Sequence, residues 1–147
     1  MLQTQIEKMR NEFKKRDYKF TPQRQAVLEV LVEHKESHLS VDEIYYYVKL
    51  KHPDLGMATV YRTLDLLCTL GMVQKLNFGD GKSRFEVSKE EKHQHHHLIC
   101  LNCNDIIEVK GDLLIQLEAM IEKEYNFETT DHVLQIYGYC HRCRMDQ

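Results

Sequence analysis

The chain has 147 residues, with 20 Lys+Arg against 23 Asp+Glu and a formal charge of -3 at pH 7, a length that fits one ordinary domain or two small ones. Its opening MLQTQIEKMRNEFKK is charged throughout, without the apolar core of a signal peptide, and no later apolar run approaches the roughly 20 residues of a membrane helix. These features argue against a membrane protein and lead us to expect a cytoplasmic one, in which five cysteines are poor disulfide formers.

The charge is uneven. Residues 1–86 carry 14 basic against 12 acidic side chains and residues 87–147 carry 6 against 11, so the halves stand at +2 and -5. From Lys8 to Arg24 there are seven basic residues and two acidic. A basic first half suits nucleic acid, which the net charge alone would have argued against.

In chain order, Leu2, Ile6, Met9 and Phe13 recur at helical spacing and predict an amphipathic first helix. KFTPQRQAVLEVLVEH follows, with Thr21 as cap, Pro22 in the first turn, and Val27, Leu28, Leu31 and Val32 as the apolar set. In HLSVDEIYYYVKLKHP, Ser40 and Glu43 stand at capping-box spacing, Ile44, Tyr47 and Val48 share a face, and Pro53 is the stop. MATVYRTLDLLCTLG predicts a fourth helix with Val60, Leu64 and Leu67 buried and Gly71 just past its end. Two helices joined by a short turn suggest helix-turn-helix. Two β-prone runs, Val73 to Phe78 and Ser83 to Val87, surround the turn residues Gly79, Asp80 and Gly81. A hairpin in that position makes the unit a winged helix.

The polar SKEEK segment, residues 88–92, reads as a linker between a winged-helix domain over 1–87 and a second domain over 93–147. The second domain reads as a strand (105–109), a helix (113–125, with Leu114, Leu117, Met120 and Ile121 apolar) and a strand (132–139). So small a unit leaves an apolar face and an open sheet edge, which a second copy could cover, so a homodimer is expected. The fold class is α+β: an N-terminal winged helix-turn-helix domain plus a small C-terminal α/β dimerisation domain.

Two motifs carry metal chemistry. Cys100 and Cys103 form CLNC, and Cys140 and Cys143 form CHRC; four thiolates in two tight turns suit tetrahedral structural zinc. Four small buried hydrophobes would be the bland alternative, but the repeated spacing speaks against it. Thioredoxin-like chemistry needs one pair at a strand-to-helix turn, not two pairs bracketing a unit. Cys68, alone, reads as core. In HQHHHLIC, taken as a strand, His95 and His97 share one face while Gln94 and His96 share the other, and Glu108 can return a carboxylate to the first. Such a nitrogen and oxygen set prefers Fe(II), Mn(II) or Zn(II) over Ca(II) or Mg(II). An open site of that kind could also activate water in a metal-dependent hydrolase, but no cleft element or further base accompanies it, and the chain is read as not an enzyme.

These residues resemble the ferric uptake regulator family over essentially the whole chain, most closely its iron-sensing branch. The resemblance rests on YKFTPQRQAVLEVL, HLSVDEIYYYVK, NFGDGKSRFEV, HHHLICLNC, HVLQIYGYCHRC and above all LGMATVYRTLDLL. It implies a dimeric, metal-responsive DNA-binding transcriptional repressor. Carried over position by position, the regulatory metal falls on His38, Glu86, His95, His97 and Glu108, and the structural zinc on Cys100, Cys103, Cys140 and Cys143. An auxiliary site is implied at His96 and His132, eroded because Gln94 stands where histidine is frequent and Ile115 where glutamate is usual.

DNA contacts are expected near the start of the helix from about Ala58 to Leu70, on Ala58, Thr59, Tyr61 and Arg62. Thr59 and Tyr61 suit thymine methyls and Arg62 guanine or phosphate, with core packing as the competing reading of Tyr61. Lys14, Lys15, Lys19, Arg24 and, on the wing, Lys82 suit phosphates or an A·T-rich minor groove. The expected DNA is a double-stranded A·T-rich inverted repeat. Peroxide-sensing relatives typically carry aspartates at the two carboxylate positions, so Glu86 and Glu108 favour an Fe(II) sensor controlling iron-uptake genes over a peroxide or zinc sensor, with Mn(II) or Zn(II) able to substitute for Fe(II).

Overall fold

A computed structural model describes residues 2–88, 96–109 and 113–145. The chain forms two compact units, Met1–Ser88 and Lys89–Gln147.

The first unit contains helices α1 (Leu2–Lys15), α2 (Pro22–Glu33), α3 (Val41–Lys51) and α4 (Met57–Thr69). Local signals set their ends. The Thr21 hydroxyl accepts from the Arg24 N–H at 3.3 Å with Pro22 in the first turn, where the missing proline N–H costs nothing. Ser40 and Glu43 form a full capping box: the Ser40 N–H donates to the Glu43 carboxylate at 2.7 Å and the Glu43 N–H to the Ser40 hydroxyl at 3.3 Å. Two orphan donors are thereby satisfied. At the end of α4, Gly71 adopts φ 70° and the Met72 N–H returns to the Leu67 carbonyl at 2.9 Å, turning the chain sharply into the wing. Helix α2 buries Ala26, Val27, Leu28, Val30, Leu31 and Val32, more than a single stripe, because other elements pack around it.

The wing is a three-stranded antiparallel sheet of order β1-β3-β2, with β1 (Leu39–Ser40), β2 (Val73–Asn77) and β3 (Ser83–Val87). Gly79 and Gly81, at φ 82° and 76°, make the left-handed bends of its turn. Strand β1 was not anticipated, since two residues carry no periodicity to read. Its pairing of Leu39 with Phe85 ties the α2–α3 connection into the wing.

The second unit holds a three-stranded sheet of order β5-β4-β6, where β4 is His96–Cys100, β5 Ile106–Val109 and β6 Gln135–Gly138. The histidine strand is therefore central, antiparallel to β5 and parallel to β6. Helix α5 (Ile115–Tyr125) starts two residues later than expected, with Leu114 at a cap position where no side chain bonds the helix. Helix α6 (His141–Met145) was unforeseen. None of the residues of α5 is buried, and Leu117 and Met120 are 49% and 57% exposed.

Candidate metal centres and DNA-facing residues

Sheet register brings the two cysteine pairs together. Because β4 and β6 run parallel with Cys100 paired to Gly138, CLNC leaves the end of one strand beside CHRC at the end of the other. The first turn is closed by the Cys100 N–H to the Asp105 carbonyl at 2.9 Å and the Asn104 N–H to the Cys100 carbonyl at 3.0 Å, with Asn104 in the left-handed region at φ 59°, which asparagine tolerates. The second turn becomes α6, which carries Cys143. All four sulfurs lie within 4.8 Å of one another, and those of Cys103 and Cys140 are 3.8 Å apart. A tetrahedron with zinc–sulfur bonds of about 2.3 Å has edges of about 3.8 Å, so the cluster has the dimensions of a closed zinc site. The Cys103 and Cys140 N–H groups, the latter donating at 3.4 Å, draw the Cys100 thiol down to about 6, which favours the thiolate that zinc requires.

The regulatory candidates divide between the units. In the first, continuing the β1·β3 register past Leu39–Phe85 sets His38 opposite Glu86. Their side chains, 7% and 11% exposed, meet with Nε2 to Oε2 at 3.3 Å. The His38 ring stands edge-on to Phe78, with centroids 5.5 Å apart, so the imidazole is wedged between two parts of the wing. In the second unit His97 is buried and pairs directly across the strands with Glu108, which puts both side chains on one face of the sheet. His95 lies outside the described residues. Each unit thus presents one histidine and one carboxylate.

His96 is 1% exposed, and its Nδ1 has no hydrogen-bond partner among the described residues. Its ring centroid lies 5.4 Å from that of His132, whose Nδ1 contacts the Glu118 carboxylate. Ile115, where a glutamate is usual, is 61% exposed, and Gln94 is outside the described residues. Glu118 was missed by the sequence reading; its offset of one helical turn from Ile115 is the signal that was available.

On α4, Ala58, Tyr61 and Arg62 are exposed and Thr59 is half-buried. Tyr61, at 49% exposure, is therefore not a core residue. Lys14, Lys15, Lys19 and Lys82 are exposed, whereas Arg24 is half-buried: its guanidinium donates to the Lys19 carbonyl and lies over the Phe13 ring. Cys68 is partly buried against the core, and burial first, then Asp65, raises its thiol. Arg84 was not singled out from sequence. It donates to the His38 carbonyl at 2.9 Å and to the Asp80 carboxylate at 2.8 Å.

The family model described as the ferric uptake regulator family matches residues 15–137. The chain belongs to the ferric uptake regulator family. It is 46% identical over 143 residues to the ferric uptake regulation protein of Bacillus subtilis, spanning 97% of this chain and 96% of that one. It is 34% identical over 131 residues to the peroxide-responsive repressor PerR of Staphylococcus epidermidis, spanning 89% and 85%. Among solved structures, that of the Helicobacter pylori ferric uptake regulator, which has three functional metal binding sites, superposes with a TM-score of 0.84 at 28% identity, covering 98% of this chain and 94% of that chain. The α+β architecture and the recognition from sequence motifs agree with this membership.

Proposed function

We propose that this regulator is an Fe(II)-responsive repressor of iron-acquisition genes that acts in the cytoplasm as a DNA-bound homodimer and has no enzymatic role. One observation carries the reading: each unit presents a buried or half-buried histidine–carboxylate pair, His38 with Glu86 and His97 opposite Glu108. Together with His95 these residues would hold the regulatory ion. A bound ion would supply binding free energy only in the arrangement where both pairs reach it, and the two units would then take one relative position. In the dimer, Ala58, Thr59, Tyr61 and Arg62 of each copy would meet successive major grooves of an A·T-rich inverted repeat. Lys14, Lys15, Lys19, Arg24 and Lys82 would neutralise phosphates. Cys100, Cys103, Cys140 and Cys143 would hold zinc permanently.

Fe(II) is favoured over the peroxide-sensing alternative because both carboxylates are glutamates, although relatives of both kinds exist. The auxiliary site is proposed to bind added zinc weakly through His96, His132 and Glu118, because a single carboxylate displaced by one turn replaces the usual set. Zinc titration against a competing chelator should then show an equivalent at the cysteines, one at the regulatory site that His97→Ala removes, and a weak one that His132→Ala removes.

The main test is binding to an A·T-rich inverted-repeat duplex with and without Fe(II) under anaerobic conditions. Fe(II) should tighten binding by about 5- to 150-fold, the usual range of such coupling, and His97→Ala should erase the difference. Equal affinity with and without metal would refute the sensor reading. Oxygen added to His38 or His95 when the Fe(II) form meets peroxide would instead identify a peroxide sensor.

A further inference from the structure

Arg84 is the one basic side chain of the wing strands that turns away from solvent: it is 14% exposed, while Lys75 is exposed. A half-buried guanidinium needs partners, because its charge and five donors lose water. Its partners come from three separate segments. One is the His38 carbonyl, at 2.9 Å. Another is the Asp80 carboxylate in the wing turn, at 2.8 Å. The third is the Glu43 carboxylate of the α3 capping box, at 3.7 Å. The Arg84 charge in turn holds the Asp80 carboxyl below its usual range, chiefly through that hydrogen bond.

The sequence distance spanned is large, whereas the spatial one is short. Asp80 also accepts the Lys82 N–H at 3.1 Å, so the guanidinium is two hydrogen bonds, through Asp80, from the backbone of the wing turn's Lys82 and one from the backbone of His38. In an extended strand, residues two apart point to the same face, and Arg84 is two residues before Glu86. The same face of β3 thus carries a carboxylate for His38's ring and a guanidinium for His38's carbonyl. Phe78, packed edge-on against that ring, makes a second link from the same histidine to the wing turn.

We infer that Arg84 is a positioning residue that fastens the wing turn, residues 79–82, to His38, so that metal held by His38 and Glu86 also fixes the wing on DNA. The inference rests on the reading of His38 and Glu86 as regulatory ligands. It adds a route by which metal acts within one unit, through the wing, beside the reorientation of whole units. The fork geometry matters here, since two terminal nitrogens serve two acceptors at once and a lysine ammonium has no such rigid pair.

The experiment uses the full-length, zinc-loaded protein and its variants Arg84→Lys and Asp80→Asn, measuring affinity for the A·T-rich inverted-repeat duplex with and without Fe(II). The quantity read is the ratio of the two affinities. In wild type Fe(II) tightens binding; in Arg84→Lys the ratio should fall toward one, by at most about tenfold, the scale of one charge-assisted hydrogen bond. Asp80→Asn should lose part of the same ratio, and the double variant should be no worse than Arg84→Lys, because both break one link. Hydrogen exchange without DNA supplies a direct readout: Fe(II) should slow exchange at residues 79–83 in wild type and not in Arg84→Lys. A purely structural arginine would lower the thermal midpoint and weaken metal-free and metal-loaded binding by the same factor, leaving the ratio intact; that result overturns the inference. Additive losses in the double variant overturn it as well. A wild type indifferent to Fe(II) sinks the sensor reading and this inference with it, whereas a responsive wild type whose variants keep the full ratio sinks the inference alone.

Discussion

The two units solve the problem of staying folded in different ways. The first buries a continuous set of side chains running from Ile6 through Phe85, and its four helices and wing close around α2. Among the described residues of the second, the buried hydrophobics are only Ile99, Cys100 and Cys143, two of them candidate zinc ligands. Leu117, Met120, Phe127, Val133 and Tyr139 are each at least 49% exposed. A unit of some 60 residues with so little core needs another source of stability. Metal at the four sulfurs and a second copy against the apolar face are the two that its chemistry offers. The first unit should therefore survive treatments that dismantle the second.

Zinc removal is the most severe of these. Structural zinc in small domains is bound with an apparent free energy of about 10–16 kcal/mol at neutral pH, much of which is folding free energy. Chelation, or Cys140→Ser, should abolish hydrogen-exchange protection across residues 96–145 and convert the protein to monomers by light scattering. Protection in α2 and α4 should persist. If α2 and α4 open together with the second unit, the two units share one source of stability. The same site has a pH signature. Cys100 is depressed to about 6, below its ordinary value, so its thiolate is present above that pH and lost as pH falls through about 6. Cys103 and Cys143 are shifted the other way, so zinc displaces protons from them at neutral pH too: competition titrations should show affinity falling continuously as pH is lowered, and more steeply below about 6.

The reciprocal experiment digs a cavity in the first unit. Leu64 is 1% exposed at the centre of the core, and Leu64→Ala should cost about 2–5 kcal/mol. Urea denaturation followed by protection of the individual units should show this loss confined to residues 2–88. Leu64→Ala should leave the dimer intact when zinc is present.

How far each unit was legible from the chain follows the same division. Thr21, Pro22, Ser40, Glu43 and Gly71 are local signals, each satisfying or ending a hydrogen-bond ladder within a few residues, and the helices of the first unit begin and end near them. The cysteine clusters were legible because ligand spacing is itself local. What escaped notice depends on contacts distant in sequence: β1 exists only because Leu39 meets Phe85, and Arg84 matters only because the wing folds beside His38. Glu118 escaped because its place beside His132, 14 residues on in the chain, is a tertiary contact and not a property of the residue type at one position.

A smaller effect should come from the apolar face. Met120, 57% exposed in the single chain, is proposed to lie under the partner copy, where Met120→Asp would bury an unpaired carboxylate. The dimer dissociation constant should rise by about 100-fold, equivalent to roughly 2.7 kcal/mol, read by sedimentation with zinc present. An unchanged dimer would mean that some other face pairs the copies.

The mildest change discriminates most finely, because it touches one hydrogen-bonded cap. Ser40 donates to and accepts from Glu43, and loss of its hydroxyl in Ser40→Ala removes only the side-chain half of that box. Such a cap contributes about 1 kcal/mol, which for a unit of this size moves the melting midpoint by about 4–8 °C. The shift should appear in the transition of the first unit alone. It should also leave Fe(II)-dependent DNA binding nearly unchanged, because the Ser40 N–H still holds the Glu43 carboxylate near Arg84. A Ser40→Ala protein that keeps its melting midpoint but loses its response to metal would mean that the start of α3, rather than Arg84, couples His38 to the wing.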